Sequence, residues 1–154
     1  MSKQSKEKNA MKFYKGALKD IITHMGKDNT TYEGELKRMG NTLFGNKFHG
    51  VYAANEIPVI TKMKPYCIAN LDERGESGSH WVALVRVNGK EVMFYDSFGR
   101  KQTQLLPKLK IKGKRIVDTD RDKEQKIIED NCGQRCLAFL AVYDTFGRNH
   151  AILI

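Results

Sequence analysis

From Ala10 to Met25 the apolar residues Met11, Tyr14, Leu18, Ile21, Ile22 and Met25 recur at the spacing of one helix face, and Gly26 is placed to cap its end. Residues 1–9 are polar throughout and are expected to form a mobile tail. Residues 28–56, rich in Gly and Asn, read as loops with short turns of structure. The run VITKMKPYCIANL, residues 59–71, reads as a strand region interrupted by Pro65. After the turn-like DERGESGS come HWVALVRV and KEVMFYDSF, two β-rich runs around Asn88-Gly89, which make the strongest hairpin signal in the chain. From Cys132 to Tyr143 nearly every residue is apolar or small, as suits a helix buried on all sides, with Asp130 or Asn131 available as its N-cap.

These elements fit a single domain over residues 10–154, because 154 residues can enclose a core without covalent staples. The three cysteines, Cys67, Cys132 and Cys136, are an odd number in a chain that opens MSKQSKEKN with no apolar leader. Free thiols in a reducing compartment are therefore expected. The longest apolar stretch falls far short of the roughly 20 residues of a membrane span, so the expectation is a soluble, intracellular, non-secreted monomer without a membrane partner.

Charge turns attention to polyanions: 27 Lys and Arg stand against 18 Asp and Glu, a net +9. No acid occurs between Asp96 and Asp118, while Arg100, Lys101, Lys108, Lys110, Lys112, Lys114 and Arg115 all fall there. In PKLKIKGKRIV an extended backbone would place Lys108, Lys110, Lys112 and Lys114 on one face. A lysine-protected edge strand is the ordinary explanation of such a strip, and non-specific DNA binding the functional one.

The stretch NCGQRCLAFL carries the sharper chemistry. Cys132 would occupy the first turn of the buried helix, where free amides and the helix dipole favour the anionic, nucleophilic form of a thiol. Cys136, one turn deeper, reads as a small core hydrophobe. A zinc site built from Cys132, Cys136, His80 and His150 lacks the second close ligand pair that structural sites use, so no metal is expected. His24 falls on the polar side of the first helix, and His49 and His150 in loop-like surroundings. His80 differs, standing at the mouth of a strand between Gly78-Ser79 and Trp81. With Asp96 at the end of the second hairpin strand, the chain holds the parts of a thiol hydrolase: nucleophile, base and orienting carboxylate.

In order along the chain, GSHWVAL, FYDSFGR, Gln125 seven positions before Cys132, and CGQRCLAFLAVY resemble the adenovirus maturation protease family, whose relatives include proteases of virophages and Polinton-type elements and, more distantly, SUMO-deconjugating cysteine proteases. LFGNKFHGVYAANEIP resembles the family's region upstream of the histidine, so the likeness spans residues 36–146. It implies an α+β, papain-like fold with a mixed sheet packed around the helix of the nucleophile. It further implies Cys132 as nucleophile, His80 as general base and then acid, Asp96 as orienting group, and Gln125 with the Cys132 backbone N–H as oxyanion hole. Trp81 and Gly133 are expected beside the substrate, Gly133 because the absence of a Cβ admits substrate backbone. The implied substrates are capsid or core precursor proteins cut next to small residues, especially glycine, in the virion or virus factory of a DNA virus or virus-like element. No cofactor is needed for the chemistry, although the adenoviral enzyme is stimulated by a peptide and by DNA. Asp96 stands where that enzyme has Glu, Asp being the usual residue in the cellular branch of the resemblance. Two other readings are a deconjugase of a ubiquitin-like modifier and a non-enzymatic, basic nucleic-acid-binding protein.

Hairpin register bears on the triad independently. A two-residue Asn88-Gly89 turn would put Asp96 opposite Trp81, with His80 and Asp96 on opposite faces. A three-residue Asn88-Gly89-Lys90 loop with a G1-type bulge would put Asp96 opposite Val82 and diagonal to His80. A working triad therefore requires that bulge, another irregularity in the hairpin, or His80 leaving the strand line.

Overall fold

The computed structural model describes residues 1–25, 33–73, 80–120 and 131–154. Their order is α1 (Lys3–Met25), α2 (Glu33–Phe44), β1 (Phe48–Tyr52), β2 (Tyr66–Asn70), β3 (Trp81–Arg86), β4 (Glu91–Tyr95), α3 (Gln102–Leu105), β5 (Arg115–Asp118), α4 (Cys132–Phe146) and α5 (Arg148–Ala151). The strands form one sheet in sequential order. β1 and β2 run parallel, as do β4 and β5, while β3 is antiparallel to both of its neighbours. The fold is thus α+β with a mixed sheet.

Alternation along the central strands divides the core in two. Trp81, Ala83 and Val85 with Met93 and Tyr95 face a helical layer of α1, α2 and α4, where Tyr14, Leu36, Leu137 and Phe139 are buried. Val82, Leu84, Val92 and Phe94 face the other way, against Ile60, Cys67 and Leu106. Burial on both faces is why HWVALVRV is almost uninterruptedly apolar instead of alternating with polar residues. α4 is buried along most of its length because it lies between the sheet and α1.

Three segments differ from the sequence expectation, the first being residues 59–71, of which only Tyr66–Asn70 form a strand. The N-terminal nine residues are not a free tail: α1 begins at Lys3, and its strong helix formers extend the amphipathic stretch by two turns before Ala10 becomes buried. Residues 28–56 hold α2 and β1 as well as turns, since Leu36, Gly40 and Phe44 recur every four residues and bury one stripe of α2. Gly26 lies outside the described residues, and so does Asp130.

The hairpin takes the register of the three-residue loop. Ala83 pairs with Tyr95 and Arg86 with Val92, and Val87 N–H donates to the Glu91 carbonyl at 2.9 Å. Asn88, Gly89 and Lys90 form the three-residue loop. It is not of the G1 type, because Gly89 does not take positive φ. Instead the Asn88 side-chain oxygen accepts from Lys90 N–H at 2.8 Å, an Asx turn that closes the loop.

Candidate active site

Three elements bring the candidate side chains together. His80 immediately precedes β3, and its carbonyl accepts from Leu71 N–H at 3.0 Å, extending the β2–β3 ladder by one residue. Asp96 immediately follows β4, in a turn closed by Gly99 N–H donating to the Asp96 carbonyl at 2.9 Å, with Gly99 at φ 71°. Cys132 opens α4. His80 and Asp96 lie just beyond the paired residues of β3 and β4, and the His80 and Phe98 rings lie 5.3 Å apart.

His80 Nε2 bonds Asp96 Oδ1 at 2.5 Å. An ionised carboxylate can only accept, so Nε2 carries the hydrogen and Nδ1 is the nitrogen left for the thiol. The imidazole also interacts with the Cys132 side chain. Trp81 N–H donates to Cys132 Sγ at 3.4 Å, so the residue after the histidine fixes the sulfur through its backbone. All three side chains are sheltered, with exposures of 7% for His80, 2% for Asp96 and 2% for Cys132.

Electrostatics follow from that shelter. Burial opposes charge on His80, but hydrogen bonds to Asp96 and Cys132 outweigh it and raise the imidazole from 6.5 to about 9. Burial likewise favours a neutral Asp96, yet bonds from His80 and Arg100 hold its carboxyl down at about 2. The depressed carboxyl adds stability above its ordinary value of 3.8 that is lost as pH falls toward 2. The raised imidazole adds stability fully present below 6.5 and lost as pH rises through about 9. Cys136 and Cys67 are completely buried; burial pushes the Cys67 thiol up to about 12 and the Cys136 thiol well above the ordinary range, so both stay protonated.

The remaining sequence candidates occupy different settings. Trp81 presents its backbone to the sulfur while its ring belongs to the buried core. Gly133 is also internal: a Cβ there would come within 2.9 Å of Leu36 Cδ2 and 3.3 Å of Trp81 Cδ1, so its missing side chain serves the packing of α2 and β3 against α4. Gln125 lies outside the described residues. Asn131 holds the N-cap position without a side-chain cap bond; its oxygen accepts from Arg135 Nε at 2.9 Å, and Arg135 Nη1 donates to Tyr14 at 3.2 Å. Among the described residues no group of three or more His, Cys, Asp and Glu side chains is arranged to hold a metal.

The basic strip is not a continuous strand. Residues 107–114 contain two turns, and β5 begins only at Arg115. Lys101, Lys108, Lys110 and Lys112 are exposed and Lys114 half-buried, while Leu109 and Ile111 pack toward the core. The two arginines are paired with carboxylates of the chain, although Arg115 stays exposed. Arg115 Nη2 donates to Glu91 at 3.0 Å, and Arg100 grips Asp96. That grip was missed in the sequence, although an acid and an arginine four residues apart across a Ser-Phe-Gly turn are a readable signal.

No family model matches this chain, and no curated protein is significantly similar to it. Among the described residues no helix is long and apolar enough to cross a membrane.

Asp96→Asn should lower the His80 midpoint, followed by NMR of the imidazole, from about 9, because burial, which lowers it, is then opposed by Cys132 alone. An unchanged midpoint would remove Asp96 as the partner that sets it.

Proposed function

We propose that this protein is a cysteine endopeptidase of the adenovirus maturation protease type. The observation that carries this reading is one imidazole held between a buried carboxylate and the thiol at the start of a buried helix. Asp96 accepts from Nε2 and leaves Nδ1 to exchange a proton with Cys132. An imidazolium raised to about 9 stays charged at neutral pH and is the counter-ion that a thiolate nucleophile requires.

In the proposed reaction Cys132 Sγ attacks the scissile carbonyl carbon, and the oxygen takes the negative charge. The Cys132 backbone N–H and the Gln125 side-chain amide donate to that oxyanion. His80 protonates the amine as the C–N bond breaks, leaving an acyl thioester on Cys132. Neutral His80 then takes a proton from water, hydroxide adds to the thioester, and the carboxylic product leaves as the thiol is restored. The proposed substrates are capsid or core precursors of a DNA virus or virus-like element, cut beside small residues in the virion or virus factory. Deconjugation of a ubiquitin-like modifier uses the same residues. Comparing a precursor protein with a SUMO conjugate as substrate separates the two.

Cys132→Ala should abolish cleavage of a glycine-rich precursor peptide, whereas Cys136→Ala should retain it. Gln125→Ala should lower kcat by roughly 10²–10³. Because protonated His80 delivers the leaving-group proton, wild-type activity should fall with rising pH around 9. Activity in Cys132→Ala, or none in the wild type on either substrate class, would refute the reading.

The exposed lysines support a second binding role, non-specific contact with packaged DNA. Each phosphate neutralised contributes about −0.9 to the slope of log K against log salt. Replacing Lys108, Lys110, Lys112 and Lys114 with Gln should flatten that slope while leaving peptide cleavage without DNA unchanged. A variant that binds with the wild-type slope would reduce the strip to solvated surface.

A further inference from the structure

Arg100 was grouped by sequence with the basic strip, but its contacts belong to the triad. Its backbone N–H donates to Asp96 Oδ2 at 2.9 Å, its Nε to the same oxygen at 3.0 Å, and its Nη2 to Oδ1 at 3.4 Å. Oδ1 is the oxygen that takes His80 Nε2. The guanidinium carbon also lies 5.1 Å from the centroid of the Phe98 ring, whose other neighbour is the His80 imidazole at 5.3 Å and 34°. The turn DSFGR therefore holds both partners of one hydrogen bond: Arg100 fixes the carboxylate plane, and Phe98 stands between the guanidinium and the imidazole.

We propose that Arg100 is a positioning residue for the proposed peptidase, acting through Asp96 and Phe98 to hold His80 in the orientation in which Nδ1 meets the Cys132 thiol.

The physical reasons are geometric. An aspartate that receives only His80 can rotate about its last torsion, because that torsion is broad and roughly two-fold. Three donors from one residue remove that freedom. The forked, planar guanidinium does this where a lysine ammonium cannot, since a point charge fixes distance but not plane. Arg100 is also 41% exposed at its side chain, so its contribution is orientation more than charge, which water screens. The charged and titratable groups around Asp96 are His80 ahead of β3, Arg100 in the turn, and Cys132 and Cys136 on α4.

This inference rests on the peptidase reading for its kinetic arm but not for its spectroscopic one. Arg100→Gln should lower kcat by about 10- to 100-fold with little change in KM, the size expected for a displaced catalytic group. Arg100→Lys should fall between Gln and wild type. In NMR spectra the downfield His80 Nε2–H resonance of the wild type should broaden or move upfield in Arg100→Gln, with Arg100→Lys again intermediate. A wild-type resonance and wild-type kcat in Arg100→Gln would overturn the proposal, as would equal losses in both variants that track a lowered Tm. A resonance that shifts as expected in a protein that cleaves no peptide would sustain the clamp and reject the peptidase.

Discussion

The three-residue turn at Asn88–Lys90 sets which side chains share a face of the hairpin, and the rest of the site depends on it. A side chain in a strand alternates faces with every residue, so one residue fewer in this turn would send His80 and Asp96 to opposite sides of the sheet. With the turn as observed, the two polar groups meet at 2.5 Å just beyond the paired ends of β3 and β4, with the Phe98 ring beside the imidazole. The Asx bond from Asn88 to Lys90 holds the loop, and the β2 ladder holds His80 in line just before β3.

Two buried polar arrangements fix the elements that carry these groups. Glu91, at the start of β4, receives Arg148 Nε at 2.6 Å and Arg115 Nη2 at 3.0 Å, joining β4, β5 and α5 around one carboxylate. A buried charge without such partners would be costly, so this cluster strongly disfavours any sliding of β4. At the other end of the strand Tyr95 stacks on Phe139 of α4 with centroids 4.5 Å apart, and its hydroxyl meets that of Tyr14 at 2.8 Å. Tyr14 in turn accepts from Arg135, which also binds Asn131. The residues just before Asp96 and just before Cys132 are thereby linked through one network spanning α1, β4 and α4. Such networks specify a single arrangement when every member is satisfied.

Much of this was legible in the sequence, and the gaps have physical causes. Hydrophobic patterning located α1, the hairpin and α4, because each buries a long periodic or continuous apolar face. It missed α2, whose stripe of Leu36, Gly40 and Phe44 is interrupted by glycine and surrounded by polar residues. It also left the first turns of α1 as a tail, since no residue before Ala10 is fully buried and only propensity marks them. At the site, residue types pointed to Cys132, His80 and Asp96, whereas packing roles did not show. The absent Cβ of Gly133 makes room for Leu36 and Trp81, and Arg100 looked like one basic residue among seven until the turn folded it back onto Asp96.

The central claim is that His80 and its carboxylate activate one thiol out of three. Mass-spectrometric mapping of limited iodoacetamide labelling at neutral pH tests it directly, with wild type compared against His80→Ala. The account predicts that Cys132 labels first, that Cys67 and Cys136 remain protected as buried, protonated thiols, and that His80→Ala slows Cys132 alone. Preferential labelling of Cys136, or a Cys132 rate indifferent to the loss of His80, would contradict it.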